Sequence, residues 1–310
     1  MAPPSPETLK FLHRTLFRWY SANGRSFLWR STRDPYVILV SEIMLQQTQV
    51  GRVEQKLPAF LRRFPGFREL AGASNAEIIR AWQGMGYNSR ALRLRDCAAS
   101  VVERHHGRLP RDPAGLLTLS GIGPYTSHAV ACFAFRRQVP LVDVNIRRVI
   151  SRLFWHMSSR DAAKPDRVIW ETARAVLPVN AYTWNQALMD FGSLVCTARK
   201  PHCGSCPVRP ACRSRHLEHI SERGKRAEPR RAEPGYGGIA RRIWRGKLVE
   251  TLRTLPRGRK ISVRDLVVSV KPDYTRRDLP WFQTLLSTLA REGIVSASRK
   301  DGCEYIRLAG

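Results

Sequence analysis

Between residues 8 and 215, apolar positions return at intervals of three and four, as in LKFLHRTLFRWY, AEIIRAWQGM, HAVACFAF and RRVISRLFW. Short turns marked by Gly or Pro separate these runs, so the stretch predicts an almost wholly helical domain of two lobes. The run SERGKRAEPRRAEPGYGG, residues 221–238, has charge, Gly and Pro but no apolar period, and is expected to be a linker. After it, ARRIWRGKLVETLRTL, SVRDLVVSV and PWFQTLLSTLAREG predict three helices, the second capped by Ser262 and the third stopped at Gly293. The tail IVSASRKDGCEYIRL alternates like a hairpin turning at Lys300-Asp301-Gly302. The expected organisation is a helical domain over 1–220, the linker 221–238 and a small domain over 239–310. No internal repeat is visible.

Three helices and a two-stranded wing resemble a winged helix, a module that often binds nucleic acid and sometimes only protein. One polar position breaks the helical pattern. In VILVSEIMLQQ the expected helix would bury Val40, Ile43 and Met44, yet it carries Glu42 and runs into Gln46 and Gln47. An exposed polar stripe is the simple explanation; a buried carboxylate would be costly unless paired or used.

Composition narrows the classes. With 310 residues and 43% hydrophobic content the chain can bury a sizeable core, which excludes disorder as its overall state. Fifty-three Lys and Arg against 25 Asp and Glu leave a formal charge of +28, which points to a polyanionic partner, nucleic acid first. No apolar stretch approaches the ~18 residues needed to span a membrane. MAPPSPETLK has neither the basic nor the apolar region of a signal peptide, so the expected location is intracellular, in the cytoplasm or nucleoid, with no membrane partner. In such a reducing compartment clustered cysteines point to metal more than to disulfides.

Three motifs carry candidate chemistry. Cys196, Cys203, Cys206 and Cys212, spaced C-x6-C-x2-C-x5-C, place four thiols within seventeen residues. Tetrahedral zinc or a [4Fe-4S] cubane would each satisfy them, and spacing does not choose. In LSGIGPYTS the glycines Gly121 and Gly123 sit in a helix–helix turn, where backbone N–H groups before a helix form a phosphate site or merely a tight corner. In LVDVNIRRVISRLF, Asp143 precedes a helix and on local pattern alone is an N-cap.

Together these motifs resemble the helix-hairpin-helix (HhH-GPD) DNA glycosylase superfamily over about residues 8–215, closest to adenine glycosylases of the MutY type. The resemblance implies an all-α, two-lobed helical domain whose cysteine loop holds a [4Fe-4S] cluster, followed by the winged-helix-like domain. It implies that the GIG turn grips the phosphate backbone and that Asp143 is the catalytic aspartate. SEIMLQQTQV is similar to the adenine-type wording, which would make Glu42 a general acid at the base pocket. By the same similarity Asn145 and Tyr125 position sugar and water, Gln47 beside Gln46 wedges into the gap left by a flipped base, Tyr87 stacks beside the opposite base, and Arg30 contacts the pocket. Members that also cut the strand carry a lysine where this chain has Tyr125, so strong lyase activity is not expected.

The implied activity is monofunctional base excision from double-stranded DNA with a mismatched or damaged base, by a monomer. Adenine opposite guanine or 8-oxoguanine is the favoured target. RDPYVILVSE and MDFGSLVC are at least as similar to thymine-mismatch glycosylases, which keeps thymine or uracil opposite guanine as the alternative. The region 239–310 also departs from the β-rich C-terminal domain usual in adenine glycosylases. A non-catalytic iron–sulfur DNA-binding protein is the alternative of another class, and it has no need of Glu42 and Asp143.

Overall fold

The computed structural model describes residues 4–155, 165–215 and 235–310. Most of the predicted linker lies outside the described residues. Its last four, 235–238, form the first strand and turn of a small hairpin. The described residues build two compact units.

The first unit is drawn from Met1–Glu42, Pro110–Thr118 and Ile122–Lys225. It opens with α1 (Pro6–Asn23), whose N-cap Ser5 accepts from the Thr8 amide, and continues with α2 (Pro35–Leu45). The second unit holds α3 (Val50–Arg63), α4 (Phe67–Ala71), α5 (Asn75–Ala81) and α6 (Ser89–His105). A reciprocal capping box between Ser74 and Glu77 starts α5. The chain returns to the first unit with α7 (Pro113–Leu117), α8 (Pro124–Phe135), α9 (Val144–Phe154), α10 (Asp166–Ala175) and α11 (Ala181–Leu194). There α1 and α9 both pack on α11, burying Leu12, Leu16, Val149, Trp184 and Phe191.

The C-terminal part of the second unit contains a hairpin, β1 (Gly235–Tyr236) and β2 (Ile239–Ala240), then α12 (Arg241–Thr254), β3 (Ile261–Ser262), α13 (Val263–Val270), α14 (Leu279–Arg291), β4 (Val295–Lys300) and β5 (Cys303–Leu308). Ser262 caps α13 through the Asp265 amide at 3.0 Å, as its sequence predicts. The antiparallel sheet has order β3-β5-β4, with Ile306 opposite both Ile261 and Ala297. Asp301 and Gly302 turn the hairpin with φ of +48° and +74°, the left-handed pair that matches strand twist. This winged-helix-like module shares its core with the helical part of its unit: Ile79 and Leu92 are buried among Trp244, Leu248, Phe282 and Leu289. The joint is also polar. Arg80 donates to Leu255 O at 2.9 Å, Arg253 to Ile79 O at 3.0 Å, and Asn75 to Gly293 O at 2.7 Å.

One local expectation changes. The helix carrying Glu42 stops at Leu45, and the glutamines lie in the turn after it, with Gln47 at φ +55°.

Candidate active site

Glu42 is the buried carboxylate that the sequence left ambiguous: it is 3% exposed, so it is no surface stripe. α2 is buried from Ile38 to Met44 and carries Glu42 inward with them, and α8 carries Tyr125 to it at its second position after Gly123. The Tyr125 hydroxyl hydrogen-bonds to the Glu42 carboxylate, while Glu42 Oε2 has no hydrogen-bond partner among the described residues. Burial pushes the Glu42 carboxyl up to about 7; the Tyr125 bond and the Arg30 charge work downward, and the nearby Asp143 charge works upward. Glu42 therefore holds a proton near neutrality on a carboxyl with one free oxygen.

Asp143 caps α9 as its sequence suggests. Its Oδ1 accepts from the Ile146 amide at 2.6 Å and its Oδ2 from Asn145 Nδ2 at 2.9 Å. Burial raises its carboxyl above the usual range, but those hydrogen bonds and the Arg148 charge oppose the rise. The N-cap role does not compete with a chemical one, because capping fixes a carboxylate at the helix start where the dipole favours its ionised form. Burial pushes both carboxyls upward, but only Asp143 has backbone and side-chain hydrogen bonds on both oxygens to oppose the rise, so the two sit in unlike environments.

Behind them lies a charge cluster that the sequence reading missed. Asp190, fully buried on α11, accepts from Arg30 at 2.7 and 2.9 Å and from the Arg25 side chain at 2.6 and 2.9 Å. Burial works upward on Asp190, yet the Arg30 and Arg25 contacts outweigh it and hold the carboxyl below its ordinary value. Arg30, with a side chain only 8% exposed, is therefore an ion-paired neighbour of Glu42. The signal for Asp190 was present: ALMDFG is an apolar helical run broken by one carboxylate, as around Glu42.

α9 also ties Asp143 to the cysteine loop. Arg148 donates to Asn145 Oδ1 at 2.9 Å and to Cys196 O at 2.7 Å, and Arg152 donates to Thr197 O at 2.7 Å and Cys196 Sγ at 3.4 Å. Cys196, Cys203, Cys206 and Cys212 border one cavity floored by Val149, Leu153 and Phe191. Among the described residues no three metal-ligating side chains gather closely enough for a single ion. The thiols share the cavity with the Arg152 guanidinium, whose charge and N–H groups suit an anionic thiolate-bound group.

The second unit holds Gln46, Gln47, Tyr87 and Gly121. Tyr87 is 57% exposed with φ +42°, so the two residues expected to enter the base stack, Gln47 and Tyr87, both have left-handed backbone that side-chain-bearing residues rarely adopt. Buried Arg90 imposes these turns. It donates to Ile43 O at 3.0 Å and Met44 O at 3.1 Å, to Gln46 O, and to Met85 O at 2.8 Å, and it lies over the Tyr87 ring. Nothing in the residues around Arg90 marks it for this role. Arg90→Lys keeps the charge but loses the planar fork. It should lower stability by about 2 kcal/mol and speed amide exchange in both turns, checked by denaturant unfolding and hydrogen exchange. Gly121 has φ +77° and leaves 3.0 Å between an added Cβ and Arg93 Cβ, so the turn needs glycine there, whereas Gly123 faces open space.

Comparison with known proteins decides the family. Residues 40–175 match the HhH-GPD superfamily of base excision DNA repair proteins. An adenine DNA glycosylase of Mycolicibacterium smegmatis is 42% identical over 241 residues, covering 77% of this chain and 79% of that protein. The chain belongs to the HhH-GPD superfamily. Another relative, a thymine/uracil-DNA glycosylase of Methanothermobacter thermautotrophicus, is 35% identical over 200 residues, 64% of this chain and 90% of its own. Among solved structures, a thermostable thymine-DNA glycosylase superposes with a TM-score of 0.64 at 33% identity, covering 68% of this chain and 98% of that one. These HhH-GPD relatives support the helical fold and the glycosylase resemblance drawn from the motifs.

Proposed function

We propose that the protein is a monofunctional DNA glycosylase that removes adenine mispaired with guanine or 8-oxoguanine. The observation that carries this reading is the pair of unlike carboxyls, a protonated Glu42 with an unpartnered oxygen beside a hydrogen-bonded Asp143. The 42% identical adenine glycosylase supports the choice of base.

A nucleotide leaves the stack, with Gln47 next to Gln46 filling its place and Tyr87 stacking on the opposite side. Gly121 and Gly123 let backbone N–H groups approach the phosphates. Glu42 gives its proton to a purine ring nitrogen as the C1′–N9 bond breaks, and the electron pair leaves with the base. The Asp143 carboxylate faces the positive charge that develops on the sugar, and water, positioned by Asn145 and Tyr125, completes the hydrolysis. Arg30, held by Asp190, limits how far the Glu42 carboxyl rises and acts from behind the pocket. Tyr125 has no amine with which to form a Schiff base, so the strand stays intact. Cys196, Cys203, Cys206 and Cys212 would hold a [4Fe-4S] cluster, whose contribution is to fix the loop that Arg148 and Arg152 grip.

A single-turnover assay on duplexes carrying A:8-oxoG, A:G, T:G and U:G tests the reading. The expected result is release of adenine, with strand breaks only after hot alkali. Pyrimidine release opposite guanine would move the enzyme to the activity named for its thymine/uracil relative. Binding without release would make it a DNA-binding protein.

A further inference from the structure

The second unit contains a groove of about 830 Å³ between the turn that carries Tyr87 and the exposed face of α12 in the C-terminal module. Its charged lining is Arg93, Arg242, Arg245 and Arg253 against Glu250 and Glu292, so cations prevail. Arg245 is paired with Glu292, and Arg253 with Glu250 and with the Asn88 side chain at 2.8 Å, which fixes the two walls to each other. Arg93 faces the groove from one wall and packs against Gly121 of the hairpin turn, while Arg242 faces it from the other. The helix that would ordinarily enter a DNA groove in such a module, the second of the α13–α14 pair, presents neutral Gln283, Thr284 and Ser287.

We propose that this groove, walled by α12 instead of the usual recognition helix, binds the phosphodiester backbone of duplex DNA and prolongs the surface that begins at Gly121. The chemistry at the walls is that of phosphate: guanidinium groups stand on both sides, beside the apolar Ile243, Val249 and Leu289, and glycines at 84, 86 and 246 open the floor. Gly246 lies mid-helix with nothing within 4 Å of an added Cβ, so the groove is open where α12 faces it. That DNA is the polyanion rests on the glycosylase reading above.

The test measures binding of the full chain to a 25-base-pair duplex by fluorescence anisotropy across a salt series, both fully paired and with a hydrolysis-resistant 2′-fluoroadenosine opposite 8-oxoguanine. Arg242→Gln should reduce the slope of log K against log salt by about 0.9, one phosphate's worth. Arg264→Gln, the same charge loss at an exposed position outside the groove, should leave the slope nearly unchanged. Gly246→Phe, which suits a helix and obstructs the groove without touching charge, should weaken binding at least tenfold, with its thermal transition confirming the fold. The excision rate at saturating enzyme should stay at the wild-type value for Arg264→Gln. Equal slopes for the two arginine variants, or unchanged affinity in Gly246→Phe, overturns the proposal. If the wild type releases no adenine yet the groove variants bind less tightly, the substrate reading falls and the groove stands.

Discussion

Replacing Glu42 by Gln should lower the single-turnover excision rate about a thousandfold while leaving DNA affinity within a few-fold of wild type, because the amide keeps the shape and loses the proton. If Glu42 is the acid proposed above, the wild-type rate should follow its protonated fraction. With its carboxyl near 7, excision should be level below that pH and fall tenfold per unit above it, about a hundredfold down by pH 9. Stability carries the same signature. A carboxyl raised in the folded state binds its proton more tightly there, so stability declines as pH climbs from about 4.5 to about 7 and the cost is complete above that. Glu42→Gln lacks this cost and should be more stable than wild type at pH 8, by a margin on the order of 3 kcal/mol that shrinks towards pH 5. Urea unfolding at both pH values reads it, and a pH-independent margin would mean that Glu42 is ionised throughout.

Asp190→Ala is expected to cost about 3–5 kcal/mol, the largest loss of stability from a single site in the catalytic region, because it leaves the buried Arg30 guanidinium without its carboxylate. Arg25, a third exposed, regains water and moderates the loss. The variant that survives should also show a changed pH profile. With Asp190 gone, the Arg30 charge acts on Glu42 without a neutralising partner, lowers its carboxyl, and moves the alkaline fall in rate to lower pH. Arg30→Met combined with Asp190→Ala should recover part of the stability, since it removes the stranded charge, but should leave the alkaline fall above its wild-type position. Denaturant midpoints and pH–rate profiles of the three proteins separate packing from electrostatics.

What the sequence disclosed here was what is local. Helical period, the Ser262 cap, the Asp301-Gly302 turn and the cysteine spacing are set by neighbours a few residues apart, and the structure has the elements they predict. Glu42 was visible as a carboxylate out of place in an apolar helix, although only its burial excluded the exposed stripe. The features that escaped depend on partners far along the chain. Asp190 meets Arg30 across 160 residues and Arg25 across 165, and β3 pairs with β5 across forty-five positions, as Ile261 with Ile306. The early end of α2 escaped for a related reason: Arg90, 44 residues on from Gln46, draws off carbonyls that another helical turn would have used.

The joint between the C-terminal module and α5–α6 has a consequence for how such proteins diversify. A module that met its neighbour only through a tether could be traded between lineages by recombination at the boundary. Here Ile79 and Leu92 belong to the module's own core, and Arg80 and Asn75 are spent on its carbonyls. A lineage that discarded residues 239–310 would inherit an apolar scar and stranded donors beside the very turn that carries Tyr87. Exchange of the module is therefore an inheritance of paired changes, in which residues 75–92 must be rewritten along with the tail.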